Sequence, residues 1–396
     1  LDTRRILKGP SSADSVVEIQ TATGIASAIA TVSIVGIGLS LTVALLSVRL
    51  EEAGFSAGAI GLNPAAGGLA TLAWAPFVPV FARRTGTRRL LLLAIVVGAL
   101  SLVAFTLTTD YWAWLFIRVV FGATLTTLFV VSEYWINAVS PPGRRGIVMG
   151  LYTTMLAVGF AIGPLILLVT GIEGPKPFMI GIALFLIAML PVALNQSAPQ
   201  IESQTEIPVS GFFTLMPIAT LAALLHGAIE TASMSLLPVY ALRIHFGVEA
   251  GAGLLGLFLL GNMLFQIPIG LISDRVDRRK LLLVIASGGV LGALALPLAA
   301  SVHFTLFCAV LILWGGMVGS FYALGLALLG SRYGGAELAS ANAAFVMFYS
   351  LGMLAGPPIA GFGLDLVTPN GFFFAMALMI VPYLWLVWRS LNRANS

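Results

Sequence analysis

The sequence predicts an all-α polytopic membrane protein, with 12 transmembrane helices in two pseudo-symmetric six-helix bundles and both termini cytoplasmic. Three observations carry this. Of 396 residues, 59% are hydrophobic and only 9% are charged, against roughly 45–50% and about 25% in soluble domains. The apolar residues gather in stretches that reach the roughly 20 residues needed to cross a hydrocarbon core about 30 Å thick. The basic residues collect in every second gap between those stretches.

In order, the apolar stretches place spans near 23–48, 57–82, 90–108, 111–138, 147–170 and 178–194, then 213–242, 251–272, 281–300, 304–329, 339–364 and 371–388. Arg4, Arg5, Lys8, Arg83, Arg84, Arg88, Arg89, Arg144 and Arg145 fall on one side of the predicted membrane. Arg275, Arg278, Arg279, Lys280, Arg332, Arg389 and Arg393 join them, making 16 basic residues. Only Arg49, Lys176 and Arg243 fall on the other side, and Arg118 is left inside a span. Short cytoplasmic loops hold the Lys/Arg excess, so this asymmetry puts the termini and the central gap in the cytoplasm of a multi-pass inner-membrane protein. The net charge of +4 then reflects topology and gives no reason to expect nucleic acid as a partner.

Composition gives no sign of catalysis. Cys308 is the only cysteine and lies in an apolar span, while His226, His245 and His303 are scattered. Neither a metal-ligand spacing nor a disulfide framework results, so no cofactor and no metal are expected. Residues 1–22 are polar, have no signal-peptide apolar core, and read as a cytoplasmic tail.

The stretch 195–212 is the one long polar insertion between spans. It divides the chain into an N-terminal bundle, 23–194, and a C-terminal bundle, 213–388, with a short tail at 389–396. An internal repeat supports the division. PVFARRTGTRR at 79–89 follows span two, and GLISDRVDRRK at 270–280 follows span eight. Gly159-x-x-x-Gly163-Pro164 in span five returns as Gly352-x-x-x-Gly356-Pro357 in span eleven. The offsets are 270 − 79 = 191 and 352 − 159 = 193 residues, nearly the same.

On these motifs the chain resembles the major facilitator superfamily over nearly its whole length. The family's loop signature, G-x-x-x-D-R-x-G-R-R, is matched by Gly270, Asp274, Arg275, Arg278 and Arg279, with Asp277 in place of the later glycine. The first copy departs from it, carrying Pro79 for the glycine and Arg83 for the aspartate. Arg118-x-x-x-Gly122 is similar to the intramembrane arginine motif of proton-coupled members. Gly159/Gly163-Pro164 is similar to part of the antiporter signature. The basic first loop and Glu133 look most like the YcaD-like bacterial branch, to which riboflavin and drug-type carriers are similar. The resemblance implies a midplane site lined by spans 1, 4, 7 and 10. It also implies that Asp274 and Arg275 latch the cytoplasmic side against the start of span five, around Arg145. Gly163, Pro164, Gly356 and Pro357 are then expected to bend their helices and allow close packing between bundles.

Ionisable residues hidden in a span mark function by default. Arg118 reads either as a charge that tunes a carboxylate or attracts an anion, or as a clamp bonded to span one. Glu133, fifteen residues later, falls 60° past four full turns, so both charges can face one cavity. It reads equally as a proton carrier or as an interfacial partner of Arg144 or Arg145. Glu230 and His226 share a helix face at i, i+4 and form either a proton-exchanging pair or a packing bond. Ser33, Ser40 and Ser47 recur every seven residues in span one, where small polar side chains favour close packing or leave room for water. Asn262 with Gln266, Trp314, Tyr322, Phe348 and Tyr349 supply the aromatics and few polar groups of a small-molecule pocket.

The sequence thus predicts a secondary transporter, expected as a monomer, whose partners are the bilayer, a small organic substrate and the proton. No ATP-binding loop of the G-x-x-x-x-G-K-[ST] kind is present. Efflux of a drug or metabolite, uptake of a planar metabolite such as riboflavin, and a non-transporting sensor or assembly factor are the readings the residues allow.

Overall fold

The computed structural model describes residues 12–140, 145–195, 199, 216–273, 275–332 and 335–395. Twelve of its helices are long and apolar enough to cross a membrane. They are α1 (Ser12–Glu52), α2 (Ala57–Thr85), α3 (Thr87–Leu107), α4 (Tyr111–Val139), α5 (Arg145–Thr170) and α6 (Lys176–Leu194). Then come α7 (Pro217–Arg243), α8 (Gly247–Ser273), α9 (Arg278–Val302), α10 (Phe304–Gly330), α11 (Gly335–Leu366) and α12 (Gly371–Asn395). All twelve expected spans are present, and most run several residues beyond the apolar stretch that identifies them. Polar ends keep the helix going because a helix satisfies its own backbone whether water or lipid surrounds it.

Local chemistry sets the joints. A 3-10 turn at Ala75–Phe77, with Pro76 inside it, interrupts α2, since proline removes a backbone donor and clashes with the preceding turn. The junctions at 108–110 and at 303 are as short as the sequence reading has them. Asp110 caps α4 by accepting from the Ala113 N–H, and His303 alone separates α9 from α10 while capping the latter. Such caps fill backbone donors that a helix start leaves open.

The repeat has a structural meaning. A methyl on Gly159 or Gly163 of α5 would run into α1 at Ser33, Gly36 and Ser40. A methyl on Gly352 or Gly356 of α11 would likewise run into α7 at Leu224 and Ala228. Small residues let helix backbones approach closely where lipid offers no competing drive. The glycine pairs therefore hold α5 to α1 and α11 to α7 within each bundle. The expectation that they pack one bundle on the other is corrected. Contact across the bundles instead uses Gly61 of α2, whose hydrogen faces the Pro357 carbonyl, and Gly361 of α11 against Ala57.

The two bundles meet along α2–α11, α5–α8, α1–α7 and α2–α7. These contacts are concentrated at one end. The first half of α2 packs on α11, whereas its last segment, Val78–Thr85, packs on α3 and α4 of its own bundle. The bundles thus close together at the face opposite the arginine-rich loops and part towards the arginine-rich face. Among the spans, α7 is both the least apolar and the most completely enclosed, surrounded by α1, α2, α8, α10, α11 and α12.

Candidate functional site

Ionisable and aromatic side chains gather where α7, α10 and α11 lean together. Glu230 of α7 is buried, and its Oε2 accepts a 2.6 Å hydrogen bond from the Tyr349 hydroxyl on α11. His226, one turn earlier, brings Nε2 to 3.6 Å from the same oxygen, while its Nδ1 lies 3.4 Å from the Val318 carbonyl of α10. Tyr322 of α10 completes the cluster, its ring 5.3 Å from His226 and 5.8 Å from Tyr349. Phe348 packs half-buried beside these tyrosines. The sequence pairing of Glu230 with His226 therefore holds, and Tyr322, Tyr349 and Phe348 fall beside it.

In the other bundle, Glu133 of α4 is an exposed residue. Its charge acts on Tyr152 of α5 and, across the gap, on Tyr322 of α10. Glu230 acts on Tyr322 as well. Tyr322 thus lies within electrostatic reach of carboxylates from both bundles. Tyr152, hydrogen-bonded at 2.9 Å to Ser132, is a member of this site that sequence reasoning missed. Its only signal was a polar group inside an apolar span.

Arg118 does not join Glu133. Fifteen residue steps put them about 22 Å apart along α4 at 1.5 Å per residue, and Arg118 is 1% exposed. Its Nε donates to Asn63 Oδ1 of α2 at 2.9 Å, its Nη1 donates to Thr42 Oγ1 of α1 at 2.8 Å, and its guanidinium lies over the Phe105 ring of α3 at 5.7 Å. Its bonds run to side chains on two helices and not to span-one carbonyls, and its Nη2 has no hydrogen-bond partner among the described residues. Asn63 and Thr42 were not singled out in the sequence.

Four other expected cavity residues are packing residues. Trp314 is 1% exposed, donates from Nε1 to the Gly289 carbonyl of α9 at 3.0 Å, and packs on Phe258 and Phe373. A large indole amid apolar neighbours settles in the bundle core once its one donor is satisfied. Ser40 is fully buried against Gly163 and donates to the Gly36 carbonyl, and Ser33 returns its hydroxyl to Ile29 of its own helix. Asn262 is buried against Gly319 and accepts from Gln266 at 3.2 Å. Gln266 instead lines a separate groove of about 370 Å³ between α8 and α10, with Ser273, Ala323 and Ala327. Arg275 is exposed beyond the end of α8; Asp274 and the Arg145 side chain lie outside the described residues.

The closed face carries a latch that the sequence did not reveal. Arg243 at the end of α7 donates to both oxygens of Glu51 on α1, at 2.8 and 3.1 Å, and to Asp365 of α11 at 3.1 Å. Asp365 also accepts from the Ala57 and Gly58 N–H groups at the start of α2, at 2.9 and 2.8 Å, where the helix dipole favours negative charge. Beneath it, the Ser47 and Ser235 hydroxyls meet at 2.8 Å between α1 and α7. Four helices from two bundles are joined by one ion cluster.

Comparison with known proteins decides the family. The description Major Facilitator Superfamily matches residues 27–258 and 219–396, two overlapping matches that together span both bundles. The chain belongs to the major facilitator superfamily. This facilitator is 27% identical over 356 residues to the uncharacterized MFS-type transporter YfkF of Bacillus subtilis, covering 88% of this chain and 90% of that one. It is 24% identical over 320 residues to an uncharacterized MFS-type transporter of Yersinia pestis, covering 78% and 80%. Among solved structures, the fold matches the nucleoside transporter NupG with a TM-score of 0.75 at 15% identity, over 95% of this chain and 99% of that one. It matches a bacterial homolog of the lysosomal transporter Spinster, solved inward-facing and unoccupied, with a TM-score of 0.73 at 12% identity, over 94% and 98%. The facilitator is therefore a multi-pass transporter of the bacterial cell membrane and not an enzyme.

Proposed function

We propose that this facilitator is a proton-coupled secondary transporter that exports a small aromatic organic solute by alternating access. Its arginine-rich face lies in the cytoplasm, as the basic-residue asymmetry supports, so the bundles are joined at the outer face and part towards the inside. The observation that carries the reading is the buried cluster of Glu230, His226, Tyr349 and Tyr322 on three helices, with Glu133 of the other bundle within electrostatic reach of Tyr322. A carboxylate at membrane depth is costly as a bare anion, so each must be protonated or meet a cation or donor. Tyr349 supplies Glu230 with a donor, and His226 is close enough to exchange a proton with it. Rocking the bundles about this cluster changes which aqueous face these groups see, and that lets a proton gradient drive solute movement. Arg83 in place of the first-loop aspartate and Glu133 on span four support placement near the YcaD-like branch, and planar solutes such as riboflavin belong in the first substrate screen.

The test is proton flux in proteoliposomes bearing a pH gradient, with Glu230→Gln and Glu133→Gln. Each amide keeps the size of the side chain and an oxygen able to accept from Tyr349 or water, but it cannot carry the proton. Solute-dependent proton movement is expected to be abolished by Glu230→Gln and strongly reduced by Glu133→Gln. Undiminished flux in both variants, or transport indifferent to collapse of the gradient, would remove proton coupling. Accumulation of solute down the direction of proton entry would reverse the assigned direction.

A further inference from the structure

We infer that Arg118 and Asn63 hold a small monovalent anion, of the chloride class, sealed inside the N-terminal bundle. The site stands apart from the Glu230 cluster and depends on neither proton coupling nor the solute. Arg118 lies seven residue steps into α4, about 10 Å from its Tyr111 end at 1.5 Å per residue, and is 1% exposed. Every partner it has is neutral. Asn63 Oδ1 accepts from Nε, Thr42 Oγ1 accepts from Nη1, and the Phe105 ring lies against the guanidinium. Thr42 is already committed as a donor, giving its own hydrogen to the Gly38 carbonyl at 2.6 Å.

The charge itself is unmatched. Among the described residues no carboxylate pairs with Arg118 and no other charge acts on it. The side chains of residues 21–140, which include the helices packed around it, are all described. A guanidinium keeps its charge throughout the physiological pH range, and a buried charge with neutral partners alone is costly.

Two donors mark the place of the anion. Arg118 Nη2 and Asn63 Nδ2 are both buried, and neither has a hydrogen-bond partner among the described residues. Each shares its parent carbon with one atom of the 2.9 Å Nε···Oδ1 bond, so covalent geometry keeps the two close together. Nε and Nη2 form one edge of the guanidinium fork, an edge that a carboxylate fills with both oxygens. The single amide oxygen of Asn63 fills half of it. Water commonly serves orphaned buried groups, but it brings no charge and needs acceptors for its own hydrogens. A halide accepts from several donors, donates nothing and supplies the missing negative charge. A divalent anion would overcompensate the one guanidinium.

A ligand that binds the folded state raises its stability in proportion to occupancy, which gives the test. The full-length protein is purified throughout in gluconate and melted in detergent as chloride, bromide or sulfate replaces gluconate at constant ionic strength. Chloride and bromide are expected to raise the melting temperature by about 3 °C or more, with saturation, and sulfate to leave it unchanged. Asn63→Asp places a carboxylate oxygen on both Nε and Nη2, so it should melt without chloride at least as high as the wild type with it, and ignore chloride. Bromide-soaked crystals should show an anomalous peak beside Arg118 Nη2. A wild-type melting temperature equal in chloride and gluconate would assign the two donors to water and overturn the inference. So would an undiminished chloride response in Asn63→Asp, or bromide peaks that avoid Arg118. If Asn63→Asp does not fold, the wild-type anion series and the bromide map decide. None of these readouts involves proton flux, so loss of the coupling proposal would leave this one standing, and the reverse.

Discussion

Replacing Arg243 with glutamine cuts the ion cluster that joins α1, α7, α11 and the start of α2. In the closed arrangement its guanidinium holds Glu51 by two bonds and Asp365 by one, with side-chain accessibilities of 15% for Arg243, 17% for Glu51 and 28% for Asp365. A fully exposed pair contributes about 0.2–1 kcal/mol, and a hydrogen bond to a charged group about 1.5–3 kcal/mol. This half-buried, paired geometry falls between them, at about 1–2 kcal/mol after screening by water. The two Glu51 bonds cross between the bundles and exist only while these meet at that face, so their loss moves the conformational equilibrium about 5–30-fold towards opening there. Ser235 lies buried just beneath the cluster. With Cys308→Ser removing the one native cysteine, Ser235→Cys reports opening through its rate of reaction with a membrane-impermeant maleimide. Labelling from the side opposite the arginine-rich face should accelerate about 5–30-fold in Arg243→Gln, by the same shift. Arg243→Lys should recover little, because an ammonium cannot reproduce the two-pronged grip. If neither Arg243→Gln nor Asp365→Asn alters the labelling rate, the cluster is not a latch.

Gly61→Ala should also favour opening at the closed face, since the added methyl strikes the Pro357 carbonyl only when the bundles are together; the same maleimide assay checks it. Gly163→Ala should instead lower the melting temperature in detergent with little effect on labelling, because its collision with Ser40 and Leu41 lies within one bundle, and overpacking costs about 1–3 kcal/mol. Arg118→Lys should destabilise the protein by about 1.5–3 kcal/mol in a thermal melt, losing one of the two charged hydrogen bonds that a single ammonium cannot span. Trp314→Phe should cost about 1 kcal/mol of stability through the lost bond to Gly289, while KM for transported solute stays unchanged.

The sequence showed the spans well and their faces poorly. Each span is apolar nearly all round, because lipid-facing and protein-facing residues are alike in composition; periodicity then has little to report. Glu230 and His226 were legible because a helix fixes i, i+4 neighbours whatever surrounds it. Tyr322 and Tyr349 could be suspected, but their meeting with Glu230 depends on how α7, α10 and α11 lean together. Trp314 looked the same as those tyrosines in sequence and lies in a bundle core. Arg118 announced itself as costly, yet its partners, Thr42 and Asn63, lie 76 and 55 residues away and carry no mark in the chain. The latch was least visible. Glu51, Arg243 and Asp365 sit at span ends, where charges are ordinary, and only the packing of α7 on α1 and α11 brings them together.

The enclosure of α7 bears on how the protein is made. A segment that touches lipid scarcely anywhere in the finished molecule is released from the demand for uniform hydrophobicity, which is why Thr220, His226, Glu230, Thr231, Ser233 and Ser235 can share one helix. During synthesis that freedom becomes a debt. The segment emerges before α8, α10, α11 and α12 exist to shelter it, and it must either wait at the insertion machinery or lean on the completed first bundle. Secure integration of α7 is thus a property of the late chain, and truncations after α7 should leave it poorly inserted even though its own sequence is intact.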